Sequence, residues 1–238
     1  MAKFLKASRI SKKHGQTLTL QPLDLHLKTG QIIVLCGGNG AGKSTCIRIL
    51  AGVDCPTSGT VQIEDDRVKT FRLDAVHNRI AYVREVGYMP DDYQFGNVLT
   101  AMEILHTFAQ LKGYDRDEVI RVATIVGLGD KLQLRASTYS KGMRQRLLLA
   151  QALIGNPTVV ILDEPTNGLD PLWNKQLREI IVGLREDNRA VIVSTHDLSF
   201  AEAVADYGIF MDDGNVIVEG PMSDIIERVG DDGLISLF

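Results

Sequence analysis

Cysteine, unbroken apolar runs and charge imbalance are all in short supply, and each shortage removes a class of protein. Three cysteines, Cys36, Cys46 and Cys55, are too few and too evenly spread for a zinc site, and their odd number argues against a disulfide framework. They read as reduced thiols in a cytosolic protein. The longest uncharged stretch, Leu147 to Leu162, is broken by Gly155-Asn156-Pro157, so it reads as a helix end, a turn and a strand rather than a membrane span. Twenty-six Lys and Arg against thirty Asp and Glu leave a formal net charge of −4, which gives no reason to expect a nucleic acid as partner. Lys3, Lys6, Arg9, Lys12 and Lys13 accompany no apolar core of the kind a signal peptide carries. Internal repeats and low-complexity linkers are absent as well.

What is present is 238 residues, 45% hydrophobic and 24% charged, enough for one large domain or two lobes sharing a core. Leu18, Leu20, Leu23, Leu25 and Leu27 recur largely at period two, which predicts short half-buried strands. Gln31 to Cys36 is a continuous apolar run rich in β-branched residues, as expected of a strand buried on both faces of a parallel sheet. The segment from Lys43 to Ala51 has helical spacing and ends at Gly52. Thr100 with Glu103 forms a capping-box pattern ahead of Ile104, Leu105, Phe108 and Leu111. Asp115 starts a second helix with the stripe Val119, Val122, Ala123 and Val126. Two more buried strands, Val159–Leu162 and Ala190–Val193, flank a helix over residues 174–184. Alternating strands and helices give an α/β core.

Gly37-Gly38-Asn39-Gly40-Ala41-Gly42-Lys43-Ser44 fits G-x-x-x-x-G-K-[ST] between a buried strand and a helix. Such a loop folds backbone N–H groups around phosphates, with Lys43 on the β and γ phosphates and Ser44 on Mg²⁺. Asp163 and Glu164 end a second buried strand, where ligand sites of open α/β sheets lie. Asp163 is expected to hold Mg²⁺ through water. Because successive strand side chains alternate, Glu164 is expected to point elsewhere and to polarise the attacking water as general base. His196 ends the third strand at the same edge and reads as a hydrogen-bond donor to the γ-phosphate. Ser140 reads as the cap of a helix entering Leu147–Ala150, and its Ser-Lys-Gly-Met start suits an anion.

With these elements in this order, the chain resembles the ATP-binding subunit of an ABC transporter over nearly its whole length. Gly37 to Thr45 resembles the family's Walker A loop, Val159 to Glu164 Walker B, Ser140 to Gln145 the signature motif, Asn167 to Asp170 the D-loop, and His196 the switch histidine. The resemblance implies a P-loop NTPase core with a mainly parallel sheet, an N-terminal antiparallel β subdomain and an inserted helical subdomain. It divides the single domain 1–238 into a nucleotide-binding lobe, 1–90 and 156–238, and a helical signature lobe, 91–155. It also implies ATP and Mg²⁺ as cofactors and a head-to-tail pair of such chains, identical or paralogous. In that pair each ATP is held by one chain's Walker A loop and by Ser140, Lys141, Gly142 and Met143 of the other.

The motifs depart from the family pattern at three places. The signature reads Tyr139-Ser140-Lys141-Gly142-Met143, with Lys for the first Gly and Met for the Gln. Asp91 stands where a glutamine usually senses Mg²⁺ and the membrane subunit; a carboxylate accepts a hydrogen bond or binds a metal's water but cannot donate like an amide. His14 stands where an aromatic stacks on adenine, and is read either so or as a surface turn residue. These departures, together with Leu99 to Gly113 and Tyr139 to Leu147, resemble the branch that pairs with small separate permeases of the ABC-2 type, mostly exporters, at the cytoplasmic face of the membrane. Tyr93 and Phe95 lie where the family docks the permease, and read equally as contact anchors or as core aromatics. The alternative is a soluble cassette ATPase acting on the ribosome or DNA.

Overall fold

A computed structural model describes residues 3–66, 68, 71–230 and 233–238. β1 (Lys3–His14) and β2 (Thr17–Lys28) form an antiparallel hairpin, and β3 (Gln31–Cys36) runs through the glycine loop into α1 (Lys43–Leu50). β4 (Ser58–Asp65) returns antiparallel to β1, and β5 (Arg72–Asp74) completes a four-stranded sheet of order β2-β1-β4-β5. α2 (Arg79–Glu85) leads to β6 (Val86–Met89); then come α3 (Ala101–Lys112), α4 (Arg116–Ile125) and α5 (Lys141–Leu153), which pack on one another. β7 (Val159–Asp163), α6 (Pro171–Glu186), β8 (Ala190–Thr195), α7 (Leu198–Val204), β9 (Tyr207–Asp212), β10 (Asn215–Pro221) and α8 (Met222–Val229) follow. The second sheet has the order β10-β9-β3-β8-β7-β6, parallel throughout except for β10.

The apolar runs without polar alternation belong to this second sheet, which has a separate core on each face. Ile32, Val34, Val160, Leu162, Val191 and Val193 face a core shared with α3, α4, α5 and α6. Their neighbours Ile33, Leu35, Val159, Ile161 and Ile192 face a core shared with the four-stranded sheet. Cys46, Ile47, Ile49 and Leu50 place α1 in that second core, between the two sheets. The helix following the glycine loop is therefore one of the most enclosed in the molecule.

Registers pair Cys36 with Thr195 and Asp163 with Ser194, so the residues just past β3, β7 and β8 emerge at one sheet edge. The expected capping box is formed: Thr100 N and Oγ1 both donate to Glu103 Oε2 at 2.8 and 2.9 Å, and Glu103 N donates to Thr100 Oγ1 at 3.2 Å. Two details differ from the sequence reading. The N-terminal leucines lie on one twelve-residue strand, β2, and register shifts along β1, around left-handed Arg9, absorb the phase slip between Leu20 and Leu23. Leu111 is 72% exposed, because the buried stripe of α3 ends at Ala109. Among the described residues, no helix is long and apolar enough to cross a membrane.

Candidate active site

Gly42 is the residue before α1 and has φ 94°, a left-handed conformation in which a side chain is strained. A Cβ there would also lie 2.9 Å from Thr19 O. With glycine as cap, no side chain accepts from the first turn of α1, which leaves those N–H groups for a ligand anion. The loop lines a cleft of about 510 Å³ that includes Gly38, Asn39, Gly40, Ala41, Lys43, Ser44 and Thr45, with Asp91, Glu164, Asn167 and His196 opposite and Thr19 at the rim. Gly37 lies behind it, its carbonyl accepting from Lys43 Nζ at 2.7 Å; Gly38 O accepts from the same amine at 3.1 Å.

Asp163 is buried behind Ser44 of the cleft lining. Its Oδ1 accepts from Ser44 Oγ at 3.3 Å and from Ser194 Oγ at 2.5 Å. Burial pushes the Asp163 carboxyl above the usual range, the two hydroxyl donors opposing and the charges of Asp91 and Glu164 adding to the rise. A cation bound at this carboxylate reverses that penalty.

Glu164 lies just beyond the reach of strand alternation. β7 ends at Asp163, and Glu164 takes a left-handed backbone with φ 46°, so the pleat no longer sets its direction. Its carboxylate lines the cleft, whereas buried Asp163 reaches it through Ser44. Oε1 lies 3.2 Å from Lys43 Nζ, the two side chains being 8% and 5% exposed, and Oε2 lies 2.8 Å from His196 Nδ1. His196 thus orients its ring by one nitrogen and keeps Nε2 for a ligand.

Ser140, Lys141, Gly142 and Met143 do not line this cleft. Ser140 caps α5, its Oγ accepting from Met143 N at 3.2 Å; a Cβ on Gly142 would meet only open space; and Met143 packs its side chain against the helical core. Lys141 and Gln145 border a second cavity of about 490 Å³ with Asp91, Tyr93, Phe95 and Asn167. Asp91 spans both cavities: its carboxylate accepts from Asn167 Nδ2 at 2.8 Å and its carbonyl from Gln145 Nε2 at 2.9 Å. Tyr93 and Phe95 divide between their two readings, Tyr93 being 52% exposed and Phe95 half-buried against the helical core, with the rings edge to face at 5.1 Å. Asp170 caps α6 through Trp173 N at 2.9 Å. His14 is exposed at the tip of the β1–β2 hairpin, paired with Thr17, and stands outside the cleft lining; the hairpin brings Thr19 to the rim instead.

Ser194 went unnoticed in the sequence although it is fully buried between the two carboxylate residues, donating to Asp163 and accepting from Glu164 N at 3.0 Å. A hydroxyl among apolar strand residues was the available signal.

A phosphate loop facing a carboxylate pair and an imidazole is the chemistry of P-loop nucleotide hydrolases. Within that class, residues 20–167 match the family described as ABC transporter. The chain belongs to the ABC transporter family. It is 34% identical to the bacitracin transport ATP-binding protein BcrA of Bacillus licheniformis, over 96% of this chain and 73% of that one. It is 33% identical to the lantibiotic transport ATP-binding protein SrtF of Streptococcus pyogenes, over 91% and 90%. A solved ATP-binding subunit of an ABC transporter superposes with a TM-score of 0.85 at 28% identity, covering 98% of this chain and 97% of its own. A dimeric cassette in a post-hydrolysis state bound to ADP and Pi gives 0.80 at 25% identity, covering 92% and 98%. The chain is accordingly an ATP-binding and ATP-hydrolysing subunit that powers a transporter, and the ribosome- or DNA-directed alternative is not favoured.

Proposed function

We propose that two such cassettes, identical or paralogous, pair head to tail on the inner face of a membrane and drive a separate permease of the ABC-2 exporter type. Each ATP is held by residues 37–45 of one chain and by Ser140, Lys141, Gly142 and Met143 of the other. The observation that carries this reading is the separation of the two motifs: Ser140 to Met143 lie outside the phosphate cleft of their own chain, at an α5 start where Gly142 is open. A single chain therefore presents two half-sites. Relatives named for bacitracin and lantibiotic transport support the exporter assignment.

Ser44 and Asp163 offer two hard oxygen donors 3.3 Å apart at the foot of the loop, a set that suits Mg²⁺, which completes its shell with phosphate oxygens and water. Bound there, the metal would neutralise phosphate charge. Lys43 binds the β and γ phosphates, Glu164 takes the proton of the attacking water, and His196 presents Nε2 to the γ-phosphate. Asp91 links this cleft to the second cavity, accepts hydrogen bonds in the sensing loop and faces the metal's water. Asp170 serves the D-loop, and His14 serves adenine from the hairpin tip. The helical lobe is residues 91–155, with exposed Tyr93, backed by Phe95, as its contact with the permease.

Glu164→Gln tests the assignment. ATP binding is expected to persist while steady-state phosphate release falls about 10²–10³-fold. Size-exclusion chromatography with ATP should then show a species of twice the mass. Wild-type turnover by the variant removes Glu164 from the role of base.

A further inference from the structure

A cavity of about 670 Å³, larger than the phosphate cleft at about 510 Å³, shares no residue with it. It opens between two strand edges. β2 is the outer strand of the four-stranded sheet, and β10 is the outer strand of the six-stranded one. The two touch where Gln21 N donates to Gly214 O at 2.9 Å, and the cavity lies further along both, between residues 24–26 of β2 and Glu219 of β10. It reaches Gln31 at the start of β3, whereas the phosphate loop follows the end of that strand.

The floor is apolar: Ala7, Leu25, Ile33 and Ile209 line it, each no more than 5% exposed. The walls carry charge. On the hairpin, Lys6 stands opposite His26 in the β1–β2 register, and Lys28 follows two residues on along the same face. The Phe4 ring packs against the His26 imidazole at 4.7 Å. Burial first, then the charges of Lys28 and Lys6, hold that imidazole below its usual pKa, with Asp66 and Glu64 pulling the other way. Like charges opposite each other in a sheet are unfavourable, and an anion between them removes the penalty.

Two acids near this wall are engaged elsewhere. Glu64 Oε1 on β4 lies 3.3 Å from Arg72 Nε, and Asp24 Oδ1 accepts from Arg9 N at 2.9 Å. The facing wall is acidic: burial, and then the charge of Glu219, raises the pKa of the Tyr207 phenol. Among the described residues Lys6, Lys28 and Glu219 enter no ion pair, so neither wall neutralises the other. Thr29 Oγ1, also from the lining, is buried without a hydrogen-bond partner.

We infer that this cavity is a second binding site, for a small zwitterion with an apolar body: its anionic group meets Lys6, His26 and Lys28, and its ammonium group meets Glu219. The body lies on the four apolar residues of the floor. Size and lining suit such a ligand, since small-molecule clefts run to roughly 300–1,000 Å³ with an apolar surface and a few placed polar groups. An anion bound beside His26 stabilises the imidazolium, so occupancy raises the pKa of that ring.

The test follows the His26 ring resonances of the full chain by NMR, with Mg·ADP present to fill the phosphate loop. The probes are p-aminomethylbenzoate, which carries both charges on one apolar ring, and benzoate and benzylamine, which carry one each. The zwitterion is expected to bind saturably, about tenfold or more tighter than either single-charge probe, and to raise the His26 pKa. Lys6→Gln/Lys28→Gln should weaken its binding about tenfold or more, and Glu219→Gln should erase its advantage over benzoate. The remainder of each spectrum reports folding. No saturable change at His26, equal binding of benzoate and the zwitterion by the wild type, or wild-type affinity in either folded variant overturns the site. Each of these outcomes leaves the ATPase reading standing.

Discussion

Ser194 sits at the point where two ionisable residues meet, and its hydroxyl serves each of them. Ser194→Ala leaves the Glu164 N–H its second acceptor, Ser194 O at 3.1 Å, but takes from the buried Asp163 carboxylate one of its two hydroxyl donors. Urea unfolding is expected to show a loss of about 1.5–3 kcal/mol, the usual worth of a hydrogen bond to a charged group. A variant as stable as the wild type means that neighbouring groups repartner. At this scale the sequence was legible where chemistry demands fixed spacing: glycine-42, lysine-43 and serine-44 positions follow from what a phosphate requires. It said less about what directs Glu164, because strand alternation holds only while the strand lasts, and β7 stops one residue short of it. For Ser194 it offered a hydroxyl in an apolar strand but not its partners, since such a serine looks the same whether or not a carboxylate lies across the sheet.

Among the elements, the turn from β5 to α2 depends on one carboxylate. Burial opposes ionisation of Asp74, yet N–H groups of His77 and Val76 and the Gln62 amide hold its pKa down at about 2. A depressed carboxyl contributes stability that is fully present above its ordinary value near 4 and is lost as pH falls toward 2. Asp74→Asn should therefore be less stable by about 2 kcal/mol at pH 7, and the gap should close as pH falls from 4 to 2. Denaturation midpoints across that range check it, and a gap independent of pH would mean that charge is irrelevant there. The other signals at this scale were local ones that a sequence carries openly. The box at Thr100 and the cap at Ser140 formed as read, because each needs only residues three apart. The order of strands within the sheets was not readable, because pairings such as β9 with β3 join residues far apart in the chain.

Taken whole, a molecule that pairs as proposed should have an activity that depends on encounter. Specific ATPase activity per chain is expected to rise with protein concentration and then level off as pairs saturate, which a dilution series measured by phosphate release would show. A rate per chain independent of dilution would mean that one chain suffices or that the pair never separates. The α/β class and the site edge were legible at this level because parallel strands read as unbroken apolar runs. The enclosure of α1 between two sheets was not, since it depends on the hairpin and β4 closing over that helix from outside.

That enclosure has a practical side. Cys36 and Cys46 bracket the phosphate loop, and burial pushes both thiols up to about 12, so neither offers a thiolate to a reagent at neutral pH. Cys55 is exposed in the segment after α1, and Lys12 Nζ donates to its carbonyl at 2.6 Å, tying it to the hairpin that ends in His14. A maleimide dye therefore attaches to the unaltered chain at a single position, beyond the far end of α1 from the phosphate loop, and labels it without any engineered cysteine.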